Sequence, residues 1–255
     1  MSTAPDSGRP GQIGLPGFAG GLDLFLHVAG RARELGRPPI QAALWHQVQR
    51  GALDFAWLTA VIGALAGFFT MATVDVAFGL GVTMGVRVFQ SLVLGQLAGF
   101  ACALLLVAGP GTASMVELGL MRHQGELRTL RLIGIDPRDL LVLPRVLGFA
   151  LALFVLTFVF QVAAVVGGFA LAAQFTGASF TQQFTVLLSL LQPTALVVSG
   201  LRNLVLGATL GVIVCHQGLV SPFSPVRMPQ IANQLLVRSL IALVIVQGGA
   251  ALFFS

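Results

Sequence analysis

The sequence predicts an all-α integral membrane protein with five transmembrane helices, preceded by interfacial amphipathic helices and with a cytoplasmic helix between the second and third spans. Of the 255 residues, 56% are hydrophobic and 9% are charged, whereas soluble domains carry roughly 25% charged residues. Five apolar stretches are long enough to cross a hydrocarbon core of roughly 30 Å, which takes about 20 residues of helix. Arginines lie mainly between these stretches. We therefore expect lipid to surround most of the chain.

The N-terminal fifth differs in composition from the rest. Residues 1–20 are rich in Gly, Pro and Ser and are expected to form a flexible tail. Residues 21–50 mix apolar residues with arginines and are broken at Pro38-Pro39, a pattern typical of amphipathic helices on a membrane surface. Their first apolar stretch is short, carries Asp23 and lacks a cleavage site, so we expect no signal peptide. Residues 51–255 form the predicted transmembrane domain.

The predicted spans share a length of about 20 residues and a near absence of charge. They are residues 55–74, 88–107, 146–171, 193–215 and 235–254.

The cations define the orientation of these spans. All 14 are arginines: five precede the first span, five separate the second and third, and two flank the start of the fifth. Arg87 is the exception, on the opposite side, and Arg202 lies inside the fourth span. The positive-inside rule then places the N-terminus in the cytoplasm and the C-terminus outside. Arginines between apolar runs do not form the soluble basic face of a nucleic-acid binder, so no nucleic acid is expected as a partner.

The longest polar connection, residues 109–145, is expected to be cytoplasmic. Gly109-Pro110-Gly111 should stop the second span, and Ser114 with Glu117 matches the S-x-x-E capping box that begins a helix. The helix predicted from Ser114 has one apolar and one charged face, the latter with Arg122, Glu126, Arg128 and Arg131. It is either a docking surface or a solvated helix whose arginines only set the topology.

Two signals end this helix and begin the next. Gly134 is expected to terminate it, and Asp136 followed by Pro137 is a favourable N-cap and first-turn pair for the helix that becomes the third span.

The same connection resembles the permease subunits of the MlaE/YrbE family. Their pattern, close to AGRxGSAxAAELGxMRxxEQIDALRxMGxDPxxYLVxPRxLA, is matched at eighteen positions: Ala108, Gly109, Gly111, Glu117, Leu118, Gly119, Met121, Arg122, Leu130, Arg131, Gly134, Asp136, Pro137, Leu141, Val142, Pro144, Arg145 and Leu147. A shorter match, Cys215-His216-Gln217-Gly218-Leu219, is similar to the family's CxxGL turn at the cytoplasmic end of the fourth span. The resemblance extends from about residue 40 to the end.

The resemblance implies an ABC-type lipid transporter, in the bacterial inner membrane, whose permease works as a dimer with a second permease copy. A cytosolic ABC ATPase would bind ATP and Mg, so this chain would be no enzyme and hold no cofactor, and a periplasmic MCE-domain protein would exchange phospholipid with a cavity between the permeases. The helix after the second span would be the coupling helix, which contacts the ATPase. The residues implied in coupling are Glu117, Gly119, Met121, Arg122, Arg131, Gly134, Asp136 and Pro137.

The sequence departs from the family in the second span. Gln96 and Leu97 stand where the family usually has an Arg-Glu pair, and ionisable residues inside a membrane normally mark a functional site. They are lipid-cavity candidates together with Arg202, whose alternative role is snorkelling or pairing with backbone carbonyls of its own helix, which Pro193 is expected to bend. A non-transporting permease partner in a heteromeric assembly is therefore an alternative function, as is a secondary transporter of hydrophobic substrates.

Other chemistry finds little support in the sequence. The absence of Lys excludes a P-loop lysine and a Schiff-base lysine. The four histidines lack ligand spacing, so no metal site is expected. Cys102 and Cys215 each lie in an apolar run and are interpreted as packing residues.

Overall fold

The computed structural model describes residues 48–49, 53–78, 81–132, 134, 141–176, 180–190, 193–220 and 228–253. The predicted tail at 1–20 lies outside the described residues, as do the predicted interfacial helices at 21–50 apart from Val48 and Gln49.

The described chain is helical, and its longest helices cross the membrane. The α-helices are α1 (Asp54–Phe78), α2 (Gly81–Phe89), α3 (Ala98–Leu106), α4 (Thr112–His123), α5 (Glu126–Leu132), α6 (Leu143–Thr176), α7 (Phe180–Leu190), α8 (Pro193–Val220) and α9 (Met228–Phe253). Two π-helical segments, π1 (Gln90–Leu97) and π2 (Val107–Gly111), join α2, α3 and α4 into one continuous rod, called here the second membrane helix. Five helices of the described part have the length and hydropathy of membrane spans. The prediction of a five-span, all-α membrane protein is confirmed.

The second membrane helix does not stop at Gly109-Pro110-Gly111, so this predicted end of the span is wrong. Proline lacks the N–H of a helical hydrogen bond and its ring crowds the preceding turn. Widening to the π-helical segment π2 accommodates Pro110, and the Thr112 N–H donates to the Val107 carbonyl five residues back. The Thr112 hydroxyl bonds the Ala108 and Gly109 carbonyls, each at 2.8 Å. The helix therefore passes through the proline and continues to His123.

Other helix boundaries also differ from the sequence prediction. The helix that was predicted to be cytoplasmic is divided at Gly125, whose φ of +82° favours glycine, into α4 and α5. The helix α7 was not predicted, although it has 11 residues. The fourth membrane helix continues to Val220 and the fifth begins at Met228.

Among the described helices, α1 and α6 share the most extensive contact. Gly63 and Gly67 lie one turn apart on α1, and a Cβ built on Gly67 would be 2.2 Å from the Ala164 carbonyl oxygen. On the facing helix, a Cβ on Gly167 would be 2.5 Å from the Ala64 Cβ. Small residues let membrane helices approach at backbone distance, which increases their van der Waals contact. The opposite side of α1 exposes Trp57 and Phe69, as expected of a lipid-facing surface.

A stripe of glycines on α8 packs closely against α6 and α4. A Cβ on Gly207 would be 2.7 Å from the Ala150 Cα, and one on Gly211 would be 2.9 Å from the Val146 Cα, both on α6. Further along α8, a Cβ on Gly218 would be 2.9 Å from the Met115 carbonyl oxygen on α4. The stripe therefore extends from the membrane interior to the end of the bundle at which α4 lies.

Candidate functional site

The π1 segment presents backbone carbonyls to other helices inside the membrane. The Ala98 N–H donates to the Val93 carbonyl, five residues back, and a carbonyl is left without a helical donor where such a segment returns to α-helical spacing. The next carbonyl, that of Leu94, accepts a 3.0 Å hydrogen bond from the Gln161 side-chain amide on α6. This bond matters because an unpaired carbonyl in a membrane is costly.

Arg202 bonds the same segment from α8. Its Nη2 donates to the Gly95 carbonyl, and the side chain is half-buried. Its Nε atom is buried and has no hydrogen-bond partner among the described residues. Arg202 thus pairs with a backbone carbonyl, but with one on the second membrane helix rather than on its own helix α8. Gly95 immediately precedes Gln96 and Leu97, both exposed on the single chain, so the three lipid-cavity candidates converge on π1.

A buried amide cluster lies one turn further along the second membrane helix. Asn203 on α8 is 3% exposed and Gln247 on α9 is 8% exposed. A Cβ on Gly99 would lie 2.6 Å from Gln247 Nε2 and 3.0 Å from Asn203 Oδ1. Both amides therefore face the same point on α3, which the sequence analysis did not identify.

An ion pair joins α6 to α4, at the end of the second membrane helix that lies far from π1. Arg145 near the start of α6 lies 3.0 Å from the Glu117 carboxylate on α4. Its Nη1 also donates to the Ser114 carbonyl at 3.5 Å. Arg145 is 8% exposed, so its guanidinium gains from a charged partner that the protein itself provides.

Ser114 is not the N-cap of a new helix, because it lies inside α4, which continues from π2 without a break. Residue Gly111, which precedes α4, has helical backbone angles and no side-chain cap bond. The helix enters α4 from π2 without exposing its amides, so it has no orphan donors for a cap to satisfy. Glu117 anchors α4 through Arg145 instead.

The other predicted coupling residues are distributed over α4 and α5. Gly119 is buried, Met121 is half-buried and Arg122 is exposed on α4, while Arg131 belongs to α5. Gly134 follows α5 with a φ of +83°, as expected of a residue that ends a helix. Asp136 and Pro137 lie outside the described residues.

The segment that is similar to the CxxGL turn lies within α8, so it is not a turn. Gly218 packs on α4, as described above, and Arg238 of α9 donates to Gln217 Oε1. Gln217 is 3% exposed. At this end of the bundle, α8 thus contacts α4 through Gly218 and α9 through Gln217.

The second membrane helix connects the two parts of this site. Twenty residues separate Leu97 from Glu117, or about 30 Å at 1.5 Å per helical residue. Between these two parts lies π2 with Pro110, a kind of segment at which helices bend. One continuous helix therefore links the polar intramembrane site to the Glu117–Arg145 ion pair.

Three residues of the site could have been recognised in the sequence by their polarity. Gln161, Asn203 and Gln247 are polar residues inside apolar stretches, which normally marks function or helix contact in membranes. The described residues contain no cluster of three or more His, Cys, Asp or Glu suited to a metal ion. Cys102 and Cys215 are both free and buried.

Comparison with known proteins identifies relatives of the chain. The family model described as Permease MlaE matches residues 44–253. The chain is 30% identical over 156 residues to the chloroplastic protein TRIGALACTOSYLDIACYLGLYCEROL 1 of Arabidopsis thaliana, a match that covers 59% of this chain and 43% of that protein. It is 27% identical over 186 residues to a probable ABC transporter permease protein of Synechocystis, covering 71% of this chain and 70% of that protein. The matched stretch thus spans less than half of the Arabidopsis relative.

Proposed function

Because the chain belongs to the MlaE permease family, we propose that it is the membrane-spanning subunit of an ABC-type transporter that moves phospholipid. One observation carries the proposal: a single continuous helix joins the intramembrane π1 segment, which Arg202 contacts, to the cytoplasmic Glu117–Arg145 ion pair. The Synechocystis relative is named as a probable ABC transporter permease, which supports the same class.

Energy enters through a separate cytosolic ABC ATPase that binds ATP and Mg. The chain has no lysine for a P-loop, and it offers α4 and α5 as the docking segment. That segment exposes Arg122, Arg128 and Leu132, the last 81% exposed. Exposed charge beside exposed apolar surface is typical of a protein interface. Gly134 and the outer part of α5 would contact the ATPase, while Glu117 and Gly119 hold α4 against the bundle.

The lipid head group would bind near Arg202. A guanidinium in the membrane interior costs several kcal/mol unless it is paired, and a phosphodiester is an anion that arginine binds well. Leu97 and Leu201 are 40% and 61% exposed on the single chain. A second permease copy would cover these side chains and enclose the cavity, from which a periplasmic MCE-domain protein exchanges lipid.

The proposed location is the bacterial inner membrane, with the N-terminus cytoplasmic and the C-terminus periplasmic. This orientation places the α4–α5 segment beside the ATPase and α7 on the periplasmic side. It follows from the arginine distribution, since five arginines separate the second and third spans.

Purification from native membranes in mild detergent, followed by reconstitution, tests the proposal. We expect a cytosolic ATPase and an MCE-domain protein to copurify, and the reconstituted complex to move labelled phospholipid when ATP is supplied. Movement driven by an ion gradient without the ATPase would show a secondary transporter instead. A complex that contains a different permease and keeps its transport when this chain is omitted would show a non-transporting partner, the function favoured by the Gln96-Leu97 replacement.

A further inference from the structure

Three membrane helices meet at a buried cluster formed by the amide side chains of Asn203 and Gln247 and by the backbone of Gly99. Asn203 lies on α8, Gln247 on α9 and Gly99 on α3. Among the described residues, Asn203 Oδ1, Gln247 Oε1 and Gln247 Nε2 are buried and have no hydrogen-bond partner. Buried polar atoms in native proteins are nearly always bonded to protein or to ordered water.

The chemistry of the three atoms shows what kind of molecule would satisfy them. Two are carbonyl oxygens, which only accept, and one is an amide nitrogen, which only donates. A direct bond from Gln247 Nε2 to Asn203 Oδ1 would leave Gln247 Oε1 unpaired. Interchanging the two ends of the Gln247 amide would instead place two acceptors together, and interchanging the ends of both amides would leave the Gln247 amide nitrogen unpaired. Complete pairing therefore needs an added molecule that can both donate and accept hydrogen bonds.

Gly99 limits the size of that molecule. A Cβ at this position would already lie 2.6 Å from Gln247 Nε2, so the amides pack directly on the glycine backbone. Asn203 and Gln247 are 3% and 8% exposed, which leaves no open face through which a lipid group could reach them. A guest must be small and uncharged, because no ionised side chain of the cluster would balance its charge.

We propose that the Asn203–Gln247–Gly99 cluster is a binding site for one structural water molecule inside the membrane. The water donates to Asn203 Oδ1 and to the Gln247 amide oxygen, accepts from the Gln247 amide nitrogen, and so links α8 to α9 beside α3. Buried waters of this kind typically make about three hydrogen bonds. The site is independent of the transported substrate, so it does not rest on the proposed function.

Electron cryomicroscopy of the full protein in lipid nanodiscs, at a resolution that shows ordered water, tests the site directly. We expect a density peak within hydrogen-bond distance of both Asn203 and the Gln247 amide. A direct bond between the two amides with no peak would overturn the proposal, as would density continuous with a lipid. Because this experiment uses the unaltered protein, it does not depend on variants that fold.

A double-mutant cycle provides a second measurement. If the two amides share one water, Asn203→Leu and Gln247→Leu should each lower the thermal midpoint, and the double variant should lower it by less than the combined single effects. Additive effects would contradict a shared water. The matched control pairs Gln247→Leu with Gln161→Leu, whose amide bonds the Leu94 carbonyl instead, and these two effects should add.

Discussion

Arg145 and Glu117 form an ion pair at 3.0 Å that joins the start of α6 to α4. The arginine side chain is 10% exposed and the glutamate side chain 45%, so the pair lies at the edge of the protein interior. Both residues belong to the sequence pattern shared with the MlaE family. The ion pair fixes the α4 end of the second membrane helix to the helix that forms the third span.

Replacing Glu117 should weaken this attachment. Glu117→Ala leaves the largely buried Arg145 with the Ser114 carbonyl, and we expect a loss of about 1 kcal/mol, because the glutamate is partly solvated. ATPase copurification and ATP-driven transport should fall as well. Chemical denaturation in detergent and ATP hydrolysis by the reconstituted complex measure the two effects.

Charge exchange distinguishes the ion pair from other roles of Glu117. The double variant Glu117→Arg with Arg145→Glu should recover part of the lost stability. Glu126→Ala, at an exposed residue in the first turn of α5, is the control for stability and should be near neutral. Equal loss in Glu117→Ala and Glu126→Ala would show that the ion pair contributes nothing.

The glycine contact between α1 and α6 should be intolerant of one methyl group. In Gly67→Ala the new Cβ would lie 2.2 Å from the Ala164 carbonyl oxygen. Because that atom belongs to a helix backbone, the helices must separate, at a cost of about 1–3 kcal/mol. The fraction of monodisperse protein and its thermal midpoint in detergent measure this loss.

Gly248→Ala is the matched control, since nothing lies within 4 Å of a Cβ at that residue. Alanine has the higher helix propensity, so this variant should be neutral or slightly stabilised. Similar destabilisation of the two variants would exclude close helix contact as the cause.

The sequence predicted the five spans because their apolar length is a strong signal in a membrane protein. It misplaced the end of the second span because Gly109-Pro110-Gly111 resembles a terminator, whereas π2 keeps the helix intact through Pro110. Such π segments depend on contacts from other helices, here the bond from Gln161 to the Leu94 carbonyl in π1. Local sequence does not contain that information.

The candidate site was also predicted only in part, because its contacts join residues that are distant in the sequence. Glu117 was predicted to take part in a capping box, whereas its contact in the fold is Arg145, which is distant in sequence. Arg202 was identified from its charge in an apolar stretch. Its bond to the Gly95 carbonyl requires the packing of α8 against π1, which only the fold supplies.

The orientation of the chain predicts which loops are accessible from each side. In a variant lacking Cys102 and Cys215, a cysteine at exposed His123 should react with an impermeant maleimide only after the inner membrane is opened. A cysteine at Thr185, exposed on α7, should react in intact spheroplasts. We expect this difference because the positive-inside rule places the arginines between the second and third spans in the cytoplasm. Labelling of His123→Cys from the periplasmic side would reverse the proposed topology.

Arg202 should matter for lipid binding more than for assembly. Arg202→Met keeps the apolar length of the side chain but removes five N–H donors, including the one on the Gly95 carbonyl. We expect the complex to assemble, to carry less copurified phospholipid and to transport it roughly tenfold more slowly, equivalent to about 1.4 kcal/mol. Lipid phosphorus per complex and the rate of labelled phospholipid transfer are the measurements.

Two further variants separate the charge of Arg202 from its bond to the backbone. Arg202→Lys keeps the charge but lacks the planar fork, so it should recover lipid occupancy in part. Arg87→Met removes an exposed arginine at the end of α2 and is the control for net charge. If Arg202→Met keeps normal lipid occupancy and transport while its stability falls, Arg202 only supports π1. Loss of lipid in Arg202→Met but not in Arg87→Met is the result expected of a head-group ligand.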